Sequence, residues 1–191
     1  MTRAHSETPH PLHPWRRPPT PRALAIVVAV IVVVALTAVV WESRQLAPDE
    51  ARRARVEALA VVHPPMPSPE AIRASADDPV YARGLEAYAA RRWDDAIVAF
   101  TGIERPDARF YQALAHLMNG DPATADALLE EVQRSDAPLY AREAVFYRVK
   151  ALLARQDPRA AQALVGDAVR LGAGPPGEAE QLRDALEVLR P

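Results

Sequence analysis

The sequence predicts an all-α chain: one transmembrane helix, then a short α-solenoid of about three helical hairpins closed by a C-terminal cap helix. Three observations carry this. Ala23–Trp41 is an unbroken apolar run without charge. Two stretches of the remainder, Phe110–Leu129 and Phe146–Val165, match without a gap at an offset of 36 residues and share nine of twenty positions. Three Asp-Pro pairs, Asp78-Pro79, Asp121-Pro122 and Asp157-Pro158, stand at helix-start stations. Between them no segment alternates apolar and polar residues long enough to read as a strand.

Residues 1–22 hold six prolines, four arginines and one acid, Glu7. Such a segment cannot bury a core and is expected to be disordered or polyproline-like. His5, His10 and His13 lie in it without a carboxylate or thiol partner, so no metal site is assigned.

The run 23–41 would cover about 28 Å as a helix, close to the hydrocarbon thickness of a bilayer. It exceeds the core of a cleaved signal peptide, and Ala38-Val39-Val40-Trp41 is a poor cleavage site. Arg16, Arg17 and Arg22 sit just before it, and only Arg44 is as close on the far side. Basic flanks stay cytoplasmic, which places the N-terminus inside and the C-terminal domain outside, in the periplasm or its equivalent. Arg52, Arg53 and Arg55 weigh in the other direction, though from farther off.

Residues 42–68 read as a membrane-proximal helix and linker, the helix starting near Pro48-Asp49-Glu50 and the linker breaking at His63–Pro69. The domain is expected to span 69–191, with hairpins near 79–104, 107–134 and 139–171 and a cap at 177–190. Asp as N-cap accepts from free N–H groups of the first turn, and Pro at the first helical position sacrifices no bond. Ala137-Pro138 is a weaker start. Gly172 and Gly174 mark a stop.

A third copy of the repeat, Tyr81–Phe100, precedes the other two at an offset of 29 residues. Fixed self-similarity at this period with helix-turn-helix content marks an α-solenoid. The stretch from Gly84 to Phe100, GLEAYAARRWDDAIVAF, resembles the tetratricopeptide repeat. The resemblance covers about 78–169. It implies small residues on the first helix of each hairpin at Gly84, Ala113 and, bulkier, Val149. It implies alanines on the second helix at Ala96, Ala125 and Ala161, each followed four positions on by a large residue, Phe100, Leu129 or Val165. Helices approach closely only where side chains are small, and the bulky neighbour fills the resulting groove. Where the family has Leu before the first-helix small position, this chain has Arg83, Gln112 or Arg148.

The layout also resembles the extracytoplasmic repeat domain of some anti-sigma-factor-like proteins. Those carry a zinc-binding His/Cys module before the span. This chain has no Cys and only a short tail there, so a sigma-binding role does not carry over.

Composition excludes several classes. Without Cys there is no disulfide, thiolate metal site or Cys nucleophile. Beyond the tail, 24 acids outweigh 19 bases, which argues against nucleic acid. Lys150 is the sole lysine against 22 arginines, a bias associated with GC-rich bacterial genomes. No phosphate loop, G-x-S-x-G or H-E-x-x-H occurs. His116 reads as a packed helix residue. Asp94-Asp95 and Glu130-Glu131 diverge by about 100° around their helices and cannot share a proton. No catalytic set, cofactor or metal is expected.

Aromatic residues remain. Phe110 and Phe146 repeat, as do Tyr111 and Tyr147, and the Phe pair reads as packing between repeats. Tyr81 and Tyr88 lie seven apart on one helix face. With Leu85 and Lys150 they form the candidate partner-binding surface for a protein or peptide, with core packing as the competing reading. The function expected is a membrane-anchored interaction scaffold or accessory factor, acting through the domain outside the membrane. The alternative is a transmembrane regulator that signals through its tail.

Overall fold

The structure, a computed structural model, describes residues 49–189. The tail 1–22 and the span 23–41 lie outside them. Among the described residues no helix is long and apolar enough to cross a membrane, and all regular structure is helical.

Nine helices follow in order among these residues: α1 (49–60), α2 (Pro69–Ala74), α3 (Pro79–Ala89), α4 (Trp93–Phe100), α5 (Pro106–Met118), α6 (Pro122–Gln133), α7 (Pro138–Ala154), α8 (Pro158–Leu171) and α9 (Glu178–Val188). Six of them begin on proline. Asp78 Oδ1 accepts from the N–H groups of Val80 and Tyr81 at 3.1 and 3.0 Å. Asp121 accepts from Thr124 at 3.1 Å and Asp157 from Ala160 at 3.0 Å. Each Asp thus satisfies donors that the helix start leaves free.

The helix pairs α3–α4, α5–α6 and α7–α8 are hairpins whose turns share one backbone. Arg91, Gly120 and Gln156 occupy equivalent positions and all have positive φ, at 57°, 82° and 59°. The next N–H, of Arg92, Asp121 or Asp157, donates 2.9 Å to the carbonyl of Ala87, His116 or Leu152. This left-handed close takes up carbonyls that the helix end leaves unpaired.

Each helix from α3 to α9 packs on the next in sequence, and α3 touches α5 as α5 touches α7. The first helices of the three hairpins therefore form one layer. Gly84, Ala96, Phe100, Ala113, Ala125, Leu129, Ala161 and Val165 are all buried. A Cβ on Gly84 would stand 2.5 Å from the Phe100 ring, so the first hairpin closes only because that side chain is absent. The residues standing where a Leu was expected face the preceding hairpin. Gln112 Nε2 donates to Thr101 Oγ1 at 3.2 Å. Arg148 donates to Asp126 at 3.0 Å and to Gln133 at 2.7 Å. Arg83 has no hairpin before it and stays exposed.

α7 is buried almost all round, from Ala144 to Leu153, because neighbours cover it on several sides. The loop into α9 lies tight on it. Gly174, at φ 81°, has no room for a Cβ above Phe146, and its N–H donates to Glu143 at 2.9 Å. α9 then buries Ala179, Leu182 and Leu186.

One expectation needs correction. Residues 49–68 belong to the same compact unit as the hairpins and are not a linker ahead of a domain that starts at 69. Helix does stop at 61–68, as the prolines require. Yet Val56 is only 2% exposed, and Leu59, Ala60 and Val62 pack on the core. Arg52 ties α1 to the Leu189 carbonyl at 3.2 Å.

Candidate functional site

The layer formed by α3, α5 and α7 carries the four residues expected to bind a partner. None of them is open to one. Tyr81, Leu85, Tyr88 and Lys150 are 0, 5, 2 and 4% exposed. The expectation of an exposed face is corrected for all four, and each has its own physical reason.

Tyr81 is core. Its hydroxyl donates to Asp107 at 2.9 Å, and Arg105 forks onto the same carboxylate at 3.1 and 2.7 Å. The guanidinium also lies 4.4 Å from the Tyr81 ring centre, a charge over a π-face. Burial and then the Asp107 charge push the Tyr81 phenol far above its ordinary pKa. Burial works to raise the Asp107 carboxyl. The bonds from Arg105 and Tyr81 outweigh it and hold that carboxyl below its usual range. The network joins the first hairpin to the second, and Leu85 lies in the same core.

Tyr88 and Lys150 are buried where the end of α1 and residues 61–68, the strap, lie over this layer, with Glu178 of α9 also closing on Lys150. Tyr88 packs edge-on against Trp93 and Tyr111, with centroids 5.5 and 5.1 Å apart. Pro64, Pro65 and Met66 stand against it across a gap of about 40 Å³. Lys150 Nζ donates to the carbonyls of Leu59 and Val61 at 3.1 and 2.9 Å and pairs with Glu178 at 2.7 Å. Its three N–H groups thus each have an acceptor, which is the condition for burying an ammonium.

The far end of the strap is held by two tyrosines. The Ser68 N–H donates to the Tyr111 hydroxyl at 2.7 Å, and Ser68 Oγ and the Tyr140 hydroxyl are 2.8 Å apart. Between the ends, Val62 packs on Leu117, Ala125 and Ala151. The strap is therefore held by α5 at Tyr111 and by α7 at Tyr140 and Lys150, packs through Val62 on the cluster of Leu117, Ala125 and Ala151, and faces Tyr88 of α3 across the small gap.

Sequence reasoning does not foresee the segment that covers Tyr88 and Lys150. Tyr140 is not assigned there, nor is the strap itself. The available signal is the spacing of Pro64, Pro65, Pro67 and Pro69. A polyproline-like stretch makes no internal hydrogen bonds, so such a stretch lying against a domain must be held by the domain's side chains.

The bonds of this arrangement go to the chain's own main chain at residues 59, 61 and 68. Lys150 takes carbonyls, Tyr111 takes an amide, and an apolar slot takes one side chain. His116 is elsewhere: its Nδ1 lies 3.3 Å from Asp121 at the turn between α5 and α6. Among the described residues, no cluster of three or more His, Asp or Glu stands ready to hold a metal. No protein-family model, no characterised protein and no solved structure matches the chain.

Proposed function

We propose that this chain is a single-pass membrane protein whose tetratricopeptide-like domain, outside the membrane, binds an extended segment of another protein without catalysing a reaction. The observation that carries the reading is the groove over α3, α5 and α7. It holds a peptide backbone through Tyr111 and Lys150, side chains of two consecutive hairpins. The repeat supports it, since stacked hairpins offer a continuous row of equivalent first helices. The apolar run 23–41 supports the anchor, and Arg16, Arg17 and Arg22 support an N-terminus inside.

The test is site-specific photo-crosslinking in intact cells. One reactive residue replaces Arg91, exposed beside the groove, and a control replaces Val188, 70% exposed on α9. A discrete protein adduct from position 91 alone, sedimenting with carbonate-washed membranes, is the expected result. Identical patterns from both positions, no adduct from position 91, or adducts in the soluble fraction would overturn the reading.

A further inference from the structure

Resting on the groove reading above, we infer that residues 61–68 are a displaceable occupant of that groove, and that its external ligand is an extended, proline-containing peptide that must evict them.

The strap has the character of a ligand. Residues 62–67 make no backbone–backbone hydrogen bond with any described residue. Side chains of the hairpins hold the segment at its two ends, and Val62 fills the slot between. Those contacts address carbonyls, an amide and one apolar side chain, all of which another extended peptide can offer.

The fit is also incomplete, unlike that of the hairpins below it. Val61 and Met66 are 55 and 75% exposed although they sit in a segment docked on apolar surface. Tyr88 lines the gap under Pro64-Pro65-Met66, and its buried hydroxyl has no hydrogen-bond partner among the described residues. An unpaired buried hydroxyl is a standing cost. A peptide that brought an acceptor to Tyr88 and buried its own apolar side chains would gain where the strap loses.

What the strap has instead is its tether. A segment attached to the domain acts at a high effective concentration. An external peptide binds only the fraction of molecules whose groove is open, and its apparent affinity falls by that fraction. The groove thus rejects weak and accidental peptides.

The experiment uses the full-length chain in detergent and a fluorescein-labelled peptide of residues 59–68, LAVVHPPMPS, read by anisotropy. Val62→Asp sets a charge against Leu117, Ala125 and Ala151 and frees the strap. It should bind the peptide about 10- to 100-fold more tightly than the parent chain. Equal affinity would overturn the inference. A second variant guards against loss of folding. The chain has no native cysteine, so Met66→Cys with Ala89→Cys is bridged by a cleavable thiol linker. The locked chain should bind no peptide, and cleavage should restore binding. Undiminished binding by the locked chain overturns the inference, while the adduct from position 91 can still stand. A dimer that forms without peptide and vanishes on locking would assign the groove to a second copy, which also overturns it.

Discussion

The turn of the first hairpin and the turns of the other two have one backbone and different chemistry. Gly120-Asp121-Pro122 and Gln156-Asp157-Pro158 place an N-cap Asp and a first-position Pro where they stabilise the next helix. The first hairpin has Arg91-Arg92-Trp93, and Arg92 makes no side-chain cap. The left-handed residue and the 2.9 Å closing bond are nonetheless the same. Packing of the two helices therefore sets this turn, and local sequence only assists. The first hairpin forgoes that assistance, and Trp93 gains a place edge-on to Tyr88 under the strap.

A second contrast lies inside the hairpins. The first pairs Gly84 with Phe100, and the third has Val149 and Val165 at the same repeat positions. The second, with Ala113 and Leu129, lies between. As the first-helix residue grows, its counterpart shrinks, and filled volume is kept.

The largest expected effect breaks this exchange. Gly84→Val pushes methyl groups into the Phe100 ring and should cost about 3 kcal/mol or more in urea unfolding. Adding Phe100→Val, which copies the third hairpin, should recover over half of that loss. No recovery would show that the two positions do not share one space.

A smaller effect sharpens the comparison of turns. Arg92→Asn supplies the missing cap without adding charge beside Asp94 and Asp95. It should raise stability by about 1 kcal/mol, less the small worth of the exposed Arg92–Asp95 and Arg92–Glu86 pairs. An unchanged midpoint would mean that the cap is already replaced in the first hairpin.

The smallest effect concerns the left-handed residue. Gln156→Gly relieves backbone strain and adds unfolded-state freedom, so a net gain of about 0.5 kcal/mol is expected. A loss would show that the Gln156 side chain contributes at the turn.

The hairpins were legible because their signals are local and repeated. Asp78, Asp121 and Asp157 cap the helices they announce, and the alanines at 96, 125 and 161 recur where helices must approach. The burial of Tyr88 and Lys150 was not legible. It depends on main-chain carbonyls of Leu59 and Val61, which leave no residue-type signature, and on a proline stretch with no apolar period. Arg148 looked like a departure from its repeat because its partner Asp126 belongs to the preceding hairpin, a pairing that spacing does not disclose.

A row of hairpins is nearly one-dimensional: each repeat senses only its neighbours, and one end can melt while the other holds. The strap is held by the first helices of the second and third hairpins and faces that of the first across a small gap. Opening either of those two hairpins therefore loosens a segment that the other also holds. With the strap seated, the repeats are expected to melt more cooperatively than a bare row of hairpins would. With it lifted, the array is expected to behave more as separate segments, and the first hairpin, whose second helix has no side-chain N-cap, to fray first.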